Sequence, residues 1–208
     1  MKVEVLFLEL PLFLILIMKH IFYFLVILFT TNLGAQNNDY AKISINDLKE
    51  SDLFIKGRTN VSTFTCLFDI AYLKECQEIV YSENTGEFSF KNAILVLDTH
   101  GFDCGSRPIN RDFNTLLQTD EYPEVTIEVK KAQIVETGAI ATLAIGIAGK
   151  VRDYKVPVNI TQILQTHFKG ALQLNLSDYA LEMPKKLFGL IEVGDEIEVH
   201  FDISAQYR

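Results

Sequence analysis

The chain has 208 residues, 49% of them hydrophobic, and a formal net charge of −8 at neutral pH. That length supports one domain or two with an ample core. An acidic chain without clustered Lys and Arg is a poor partner for nucleic acid or anionic membrane surfaces.

In chain order, much of the apolar excess lies in residues 1–35, in the runs Leu10–Met18 and Ile21–Phe29. The second run reads as the core of a signal peptide, with Lys19 and His20 before it and the small-to-polar stretch Thr30–Ala35 leading to a cut after Ala35. Residues before Met18 fit this plan poorly because Glu4 and Glu9 interrupt them, so Met18 is a candidate true start. The rival is a retained membrane anchor, but Pro11, Lys19 and His20 break the apolar length that a spanning helix needs. No cysteine follows the run, which argues against a lipoprotein anchor. The expected division is a signal peptide over 1–35 and one domain over 36–208, in a periplasmic or secreted protein. Removing residues 1–35 takes away two charges of each sign and leaves the balance at −8.

From Asp39 onward the hydrophobic period is two. Leu53, Ile55, Val61, Phe64 and Phe68 mark the early strands, and Phe88, Phe90, Ile94 and Val96 the next. Glu124–Lys130, Ala171–Leu176 and Glu196–Ile203 alternate apolar with polar at every step, the pattern of strands with one buried and one wet face. The Gly138–Gly149 strand carries small residues at Ala139, Ala141, Ala144, Gly146 and Ala148. These either leave internal space or make a tightly packed barrel corner. Turn signals at Asn84–Gly86, Glu136–Gly138, Lys169–Gly170 and Val193–Asp195 separate the runs. Only short helices are expected: Asn110–Gln118, with single turns at Ser44–Lys49 and Lys185–Phe188. The pattern is all-β, about eight antiparallel strands with one or two short helices, in a barrel or a sandwich; a barrel leaves no exposed edge.

Signatures of catalysis are missing from the sequence. There is no G-x-S-x-G, H-E-x-x-H or P-loop pattern, and His100, His167 and His200 are isolated from one another. The expectation is no enzyme, no cofactor and no metal. An enzyme would need one of these histidines to meet a carboxylate in a pocket. Cys66, Cys76 and Cys104 have no C-x-x-C spacing; in an oxidising compartment they read as one disulfide and one odd thiol. Asn60, Asn159 and Asn175 begin N-x-S/T triplets.

The most informative pattern is a set of segments in a fixed order. Leu53–Phe64 comes first. Leu95-Val96-Leu97 then leads through Cys104 to Asn110–Phe113, Leu116-Leu117 and Tyr122–Val125. Ile147–Val156 follows, and then Gly170–Pro184, with Gly189, Val193–Asp195 and a closing strand behind it. This order resembles the YceI-like family of exported lipid-binding proteins, from about residue 40 to the C-terminus. The resemblance implies a lipocalin-like eight-stranded barrel with an elongated apolar cavity for a polyisoprenoid or similar amphiphilic lipid. Several family members carry Trp or His after the first glycine, where this chain has Ser62, Thr63 and Phe64. The resemblance also brings the strand of Cys66 near the loop of Cys104, implying a disulfide between them and a free Cys76.

On this reading the apolar wall candidates are Phe64, Phe68, Phe88, Phe90, Phe102, Phe113, Phe168, Leu172 and Leu174. Head-group candidates, donors for a phosphate or quinone at the mouth, are Arg107, Arg111, Lys155 and Lys185. The expected function is non-enzymatic binding or transport of the lipid, with a homodimer left open. The alternative is a structural or interaction barrel whose own Phe side chains fill the interior.

Overall fold

The computed structural model describes residues 40–44, 51–74, 78–162, 166–182, 185–186 and 191–205. The expected signal peptide, Cys76 and most of the expected turn at Ser44–Lys49 lie outside the described residues.

Thirteen strand segments form one antiparallel sheet. They are β1 (Ala41–Ser44), β2 (Asp52–Arg58), β3 (Thr63–Phe68), β4 (Leu73–Lys74), β5 (Glu78–Asn84), β6 (Glu87–Lys91), β7 (Ile94–Asp98), β8 (Phe102–Asp103), β9 (Glu124–Val135), β10 (Gly138–Ile147), β11 (Lys150–Gln162), β12 (Thr166–Asn175) and β15 (Glu196–Ala205). The short β13 (Lys185–Lys186) and β14 (Ile191–Glu192) pair separately. That pairing corrects the turn of helix expected at Lys185–Phe188: its first two residues are extended.

The thirteen segments group into eight runs, which reconciles them with the eight strands expected. β1 and β2 make the first run, β3 to β5 the second, and β6 to β8 the third. The first run pairs with the second through β2–β3 and β1–β5. The second pairs with the third through β3–β8, β4–β7 and β5–β6. β9 takes β7 along its first half and β6 along its second. From there β10, β11, β12 and β15 follow in sequence order, and β15 pairs with β2. The ladder therefore returns to its start. The result is a lipocalin-like up-and-down barrel, in which closure satisfies the edges that an open sheet would expose.

The breaks in the second and third runs have a local cause. Asp69 and Asp98 each turn a carboxylate back onto the backbone N–H two residues on, Ala71 at 3.0 Å and His100 at 3.1 Å. Such Asx turns compete with the ladder and replace it by the 3-10 turns Ile70–Tyr72 and Thr99–Gly101. The two breaks face each other, joined by Asp69 N–H to the Gly101 carbonyl at 2.9 Å. A Cβ at Gly101 would stand 2.7 Å from both Phe68 and Tyr72, so glycine is what lets them meet.

One end of the barrel is capped by chain. Helix α1 (Arg107–Leu116) begins three residues before the expected start. Ser106 is its N-cap residue, and Pro108, whose fixed φ suits a first turn, follows. Asn110, read in the sequence as the cap, reaches back instead: its Oδ1 accepts from Cys104 N–H at 2.7 Å and its Nδ2 donates to Asp103 at 3.0 Å. Phe113, Leu116 and Leu117 turn into the barrel end with Leu176, Tyr179 and Leu181, all buried. Tyr179 donates to the Ile145 carbonyl at 3.2 Å, and burial above all pushes its phenol well above the usual range. Asn175 accepts from Ser177 N–H at 2.9 Å and caps the 3-10 turn Leu176–Tyr179 that carries this tyrosine.

Cys66 of β3 is joined to Cys104, between β8 and α1, across 38 positions of sequence. Both are buried, and the bond fastens the start of the capping helix to the barrel wall. Its removal in C66S or C104S is expected to cost about 2–4 kcal/mol in urea unfolding, from the loop entropy restored to the unfolded chain. Wild type in reductant should match the variants.

A second expectation concerns Asp202, beside the closing seam. Burial works to raise its pKa, but hydrogen bonds and charge from His167 (2.9 Å) and Lys169 (3.3 Å) together hold it below the ordinary 3.8. A folded value below the unfolded one contributes stability above pH 3.8, and this is lost as pH falls through the folded value. D202N should therefore lower stability by about 1 kcal/mol at pH 7 and by less at pH 3. An equal loss at both pH values would rule out a role for the carboxylate charge.

Candidate functional site

Inside the barrel is a cavity of about 560 Å³. This lies within the roughly 300–1,000 Å³ usual for small-molecule sites. The inward rows of the strands make its wall: Leu53 and Ile55 from β2, Val125, Ile127 and Val129 from β9, Leu143, Ile145 and Ile147 from β10, and Ile197, Val199, Phe201 and Ile203 from β15. Alternation by two puts these on one face, while their sequence neighbours point to the outer face of the barrel.

Among the described residues, the polar side-chain groups on the wall belong to Tyr81, Gln162 and Thr166. All three lie toward the end opposite α1, where the β5–β6, β9–β10 and β11–β12 connections are. Among the described residues, that end is the open one. Ile134 and Ile160 line the cavity there while remaining 50% and 37% exposed, whereas Leu174 and Leu176, near the capped end, are each 2% exposed. The aromatic rings are shared between the two ends. Phe68, Phe102 and Phe113 pack in series as tilted rings at the capped end, with centroids 4.8 and 5.2 Å apart, and Tyr81, Phe88 and Phe90 cluster toward the mouth.

Of the wall candidates read from the sequence, Phe68, Phe88, Phe90, Phe102, Phe113, Phe168, Leu172 and Leu174 line this cavity. Phe64 does not. It pairs across the ladder with Gly57 and lays its ring on the glycine, where a Cβ would stand 2.3 Å from the ring. The ring packs beside the core cluster, outside the cavity wall. The sequence reading favoured phenylalanines and passed over Leu53, Ile55, the inward rows of β9, β10 and β15, and Gln162 and Thr166. Their signal was the same alternation that identified the strands.

Three of the head-group candidates, Arg107, Arg111 and Lys155, are placed away from the cavity wall. Arg107 and Arg111 are exposed on α1, at the capped end. Lys155 faces outward from β11, since its neighbours Val156 and Val158 are buried and Val158 lines the cavity. For Lys185 the backbone alone is described, in β13. None of Arg107, Arg111 and Lys155 is among the cavity-lining residues.

The small residues of β10 divide between the two alternatives left open by the sequence. Ala139 and Ala141 face inward and leave room near the mouth. Ala144 faces outward opposite Glu128 and Asp153, and Lys130 reaches across the strand to both Asp153 oxygens at 2.8 and 3.0 Å. Gly146 makes a close approach, since a Cβ there would stand 2.4 Å from Thr126 Oγ1.

Each of the three described histidines has a carboxylate beside it, and none lines the cavity. His100 meets Asp98 at 2.8 Å, His167 meets Asp202, and His200 lies 2.8 Å from Glu198 with its ring stacked on Phe54. The hydrogen bond from His100, foremost, holds Asp98 below the usual carboxylate range. Among the described residues no three His, Cys, Asp or Glu side chains are grouped to hold a metal ion, and no helix is long and apolar enough to cross a membrane.

Comparison with known proteins bears on this geometry. No curated protein matches the sequence. Among solved structures, BcnA of Burkholderia cenocepacia is similar at 20% identity and a TM-score of 0.61, over 77% of this chain and 99% of that one. A polyisoprenoid binding domain from Saccharophagus degradans, implicated in plant cell wall breakdown, is similar at 15% identity and a TM-score of 0.56, over 80% of this chain and 98% of that one. At these identities the likeness establishes the fold. Residues 56–205 match the family model of the YceI-like domain, which spans seven of the eight runs and the end of the other. A closed eight-run barrel, an apolar lumen and that match together make this chain a member of the YceI-like family.

Proposed function

We propose that the barrel binds the tail of a polyisoprenoid or similar amphiphilic lipid, without chemical transformation, and carries it in the periplasm or outside the cell. The single observation that supports this most is the lumen: about 560 Å³ walled by aliphatic and aromatic side chains, with its polar groups confined to the open end. An isoprenoid tail offers no hydrogen bonds and demands none, so such a wall desolvates it at no polar cost. At about 0.8 kcal/mol per buried methylene, about ten methylene equivalents supply micromolar affinity before binding costs are subtracted. The tail enters first, toward Phe68, Phe102 and Phe113, and the head stays near Gln162 and Thr166.

The reading of residues 1–35 as a signal peptide supports export, and so does the Cys66–Cys104 bond, since disulfides persist in oxidising compartments. The polyisoprenoid binding described for the Saccharophagus degradans domain supports the ligand class. The filled-interior alternative is disfavoured by Ala139 and Ala141, whose small side chains leave the lumen open on the β10 side.

Native mass spectrometry of protein purified from its host should find an added mass that organic extraction removes. Consistent recovery of bare protein, with no uptake of added isoprenoid, would overturn the proposal. A141F places a ring in the lumen and should weaken tail binding about tenfold or more. Its overpacking cost, about 1–3 kcal/mol, should leave the β-sheet circular dichroism intact. Unchanged affinity in a folded A141F protein would locate the tail elsewhere.

A further inference from the structure

The head of the ligand meets a different environment from its tail, and the mouth bears on which heads are accepted. The tips of the β5–β6 and β9–β10 hairpins stand together there, joined by Ile134 N–H to the Gly86 carbonyl at 3.0 Å. Gln162 of β11 stands opposite Thr166 of β12 in the ladder. β2 begins at the same end, with Asp52 in register with Asp202.

The charges on these elements are unevenly matched. Lys131 is taken by Glu87 at 2.9 Å, Lys169 by Asp202 at 3.3 Å, and Lys42, one strand further out, by Glu78 at 2.9 Å. Lys91 lies over the Tyr40 ring, 3.9 Å from its centroid. Asp52, Glu83 and Glu136 have no basic partner among the described residues. The strongest donors of the chain's described surface that were expected to serve a phosphate, Arg107 and Arg111, are at the opposite end of the barrel.

We infer that the cavity selects an amphiphile with an uncharged, hydrogen-bonding head, such as an alcohol or a quinone, over the phosphorylated form of the same tail. This rests on the tail-binding reading above and adds the head chemistry to it. The Gln162 amide and the Thr166 hydroxyl are neutral groups that can donate or accept. A hydroxyl or carbonyl head can hydrogen-bond with such partners without leaving a charge stranded at an apolar lumen. A phosphate or diphosphate would enter past the carboxylates of Asp52, Glu83 and Glu136 and lose hydration to neutral partners alone. Over distances of about 10 Å at a wet surface this repulsion amounts to about a tenfold discrimination at 0.01 M salt. At 0.15 M it shrinks to a few-fold, because the screening length falls to about 8 Å.

The test compares a fifteen-carbon isoprenoid alcohol with its diphosphate on the full exported chain, by calorimetry at 0.01 and 0.15 M salt. The alcohol should bind about tenfold more tightly at low salt, and the ratio should narrow as salt rises. E83K/E136K should narrow it at low salt as well. Equal affinity, or a preference for the diphosphate, overturns the head selection and leaves tail binding standing. If neither compound binds, tail binding fails and the head selection goes with it.

Discussion

The structure depends on the seam between β15 and β2, where the last described strand of the chain pairs with one of the first. Five residue pairs from Asp202–Asp52 to Glu198–Lys56 make the junction. The buried Ser51 hydroxyl extends it by accepting from Ser204 N–H at 3.0 Å. Without this closure both flanking strands would be edges, with unmatched backbone groups open to any passing strand. With it, the inward rows of eight runs face one another around a space that none of them fills. The lumen exists because the ladder closes, and its apolar character follows from the period of two.

The two ends of the cylinder are built by different physics. At the capped end, a short helix, a 3-10 turn capped by Asn175 and a disulfide pack large side chains into one another, and the buried Tyr179 hydroxyl has the Ile145 carbonyl as its acceptor. Polar groups tolerate such burial only with a partner. At the other end the described β5–β6 and β9–β10 hairpins carry apolar side chains up to the rim, where Ile134 stays half exposed. A tube closed by packing at one end and left open by short turns at the other has a direction, and an amphiphile has one too.

Charge is kept off the inner wall and placed on the outer face and rim. The ion pairs across the outer face, such as Lys130–Asp153, sit in water and contribute little each to stability. Their positions still record the pleat, because each marks the outward residue of its strand. The histidines belong to this outer set. Each has a carboxylate neighbour, yet none lines the apolar cavity.

By itself the amino-acid sequence determined the strands, their parity and the class of fold, because strict alternation in stretches such as Glu124–Lys130 and Glu196–Ile203 has one physical solution: a sheet with one dry face and one wet one. The ordered segments carried the family resemblance and the pairing of Cys66 with Cys104. Tertiary structure alone decided which inward side chains border open space and which, like Phe64 on Gly57, pack against a neighbour. It also decided which end is open, and that Arg107 and Arg111 stand at the capped one. Periodicity specifies a face, but cavity shape depends on which faces meet across the barrel and where the helix docks, and these are set by contacts between residues far apart in the chain.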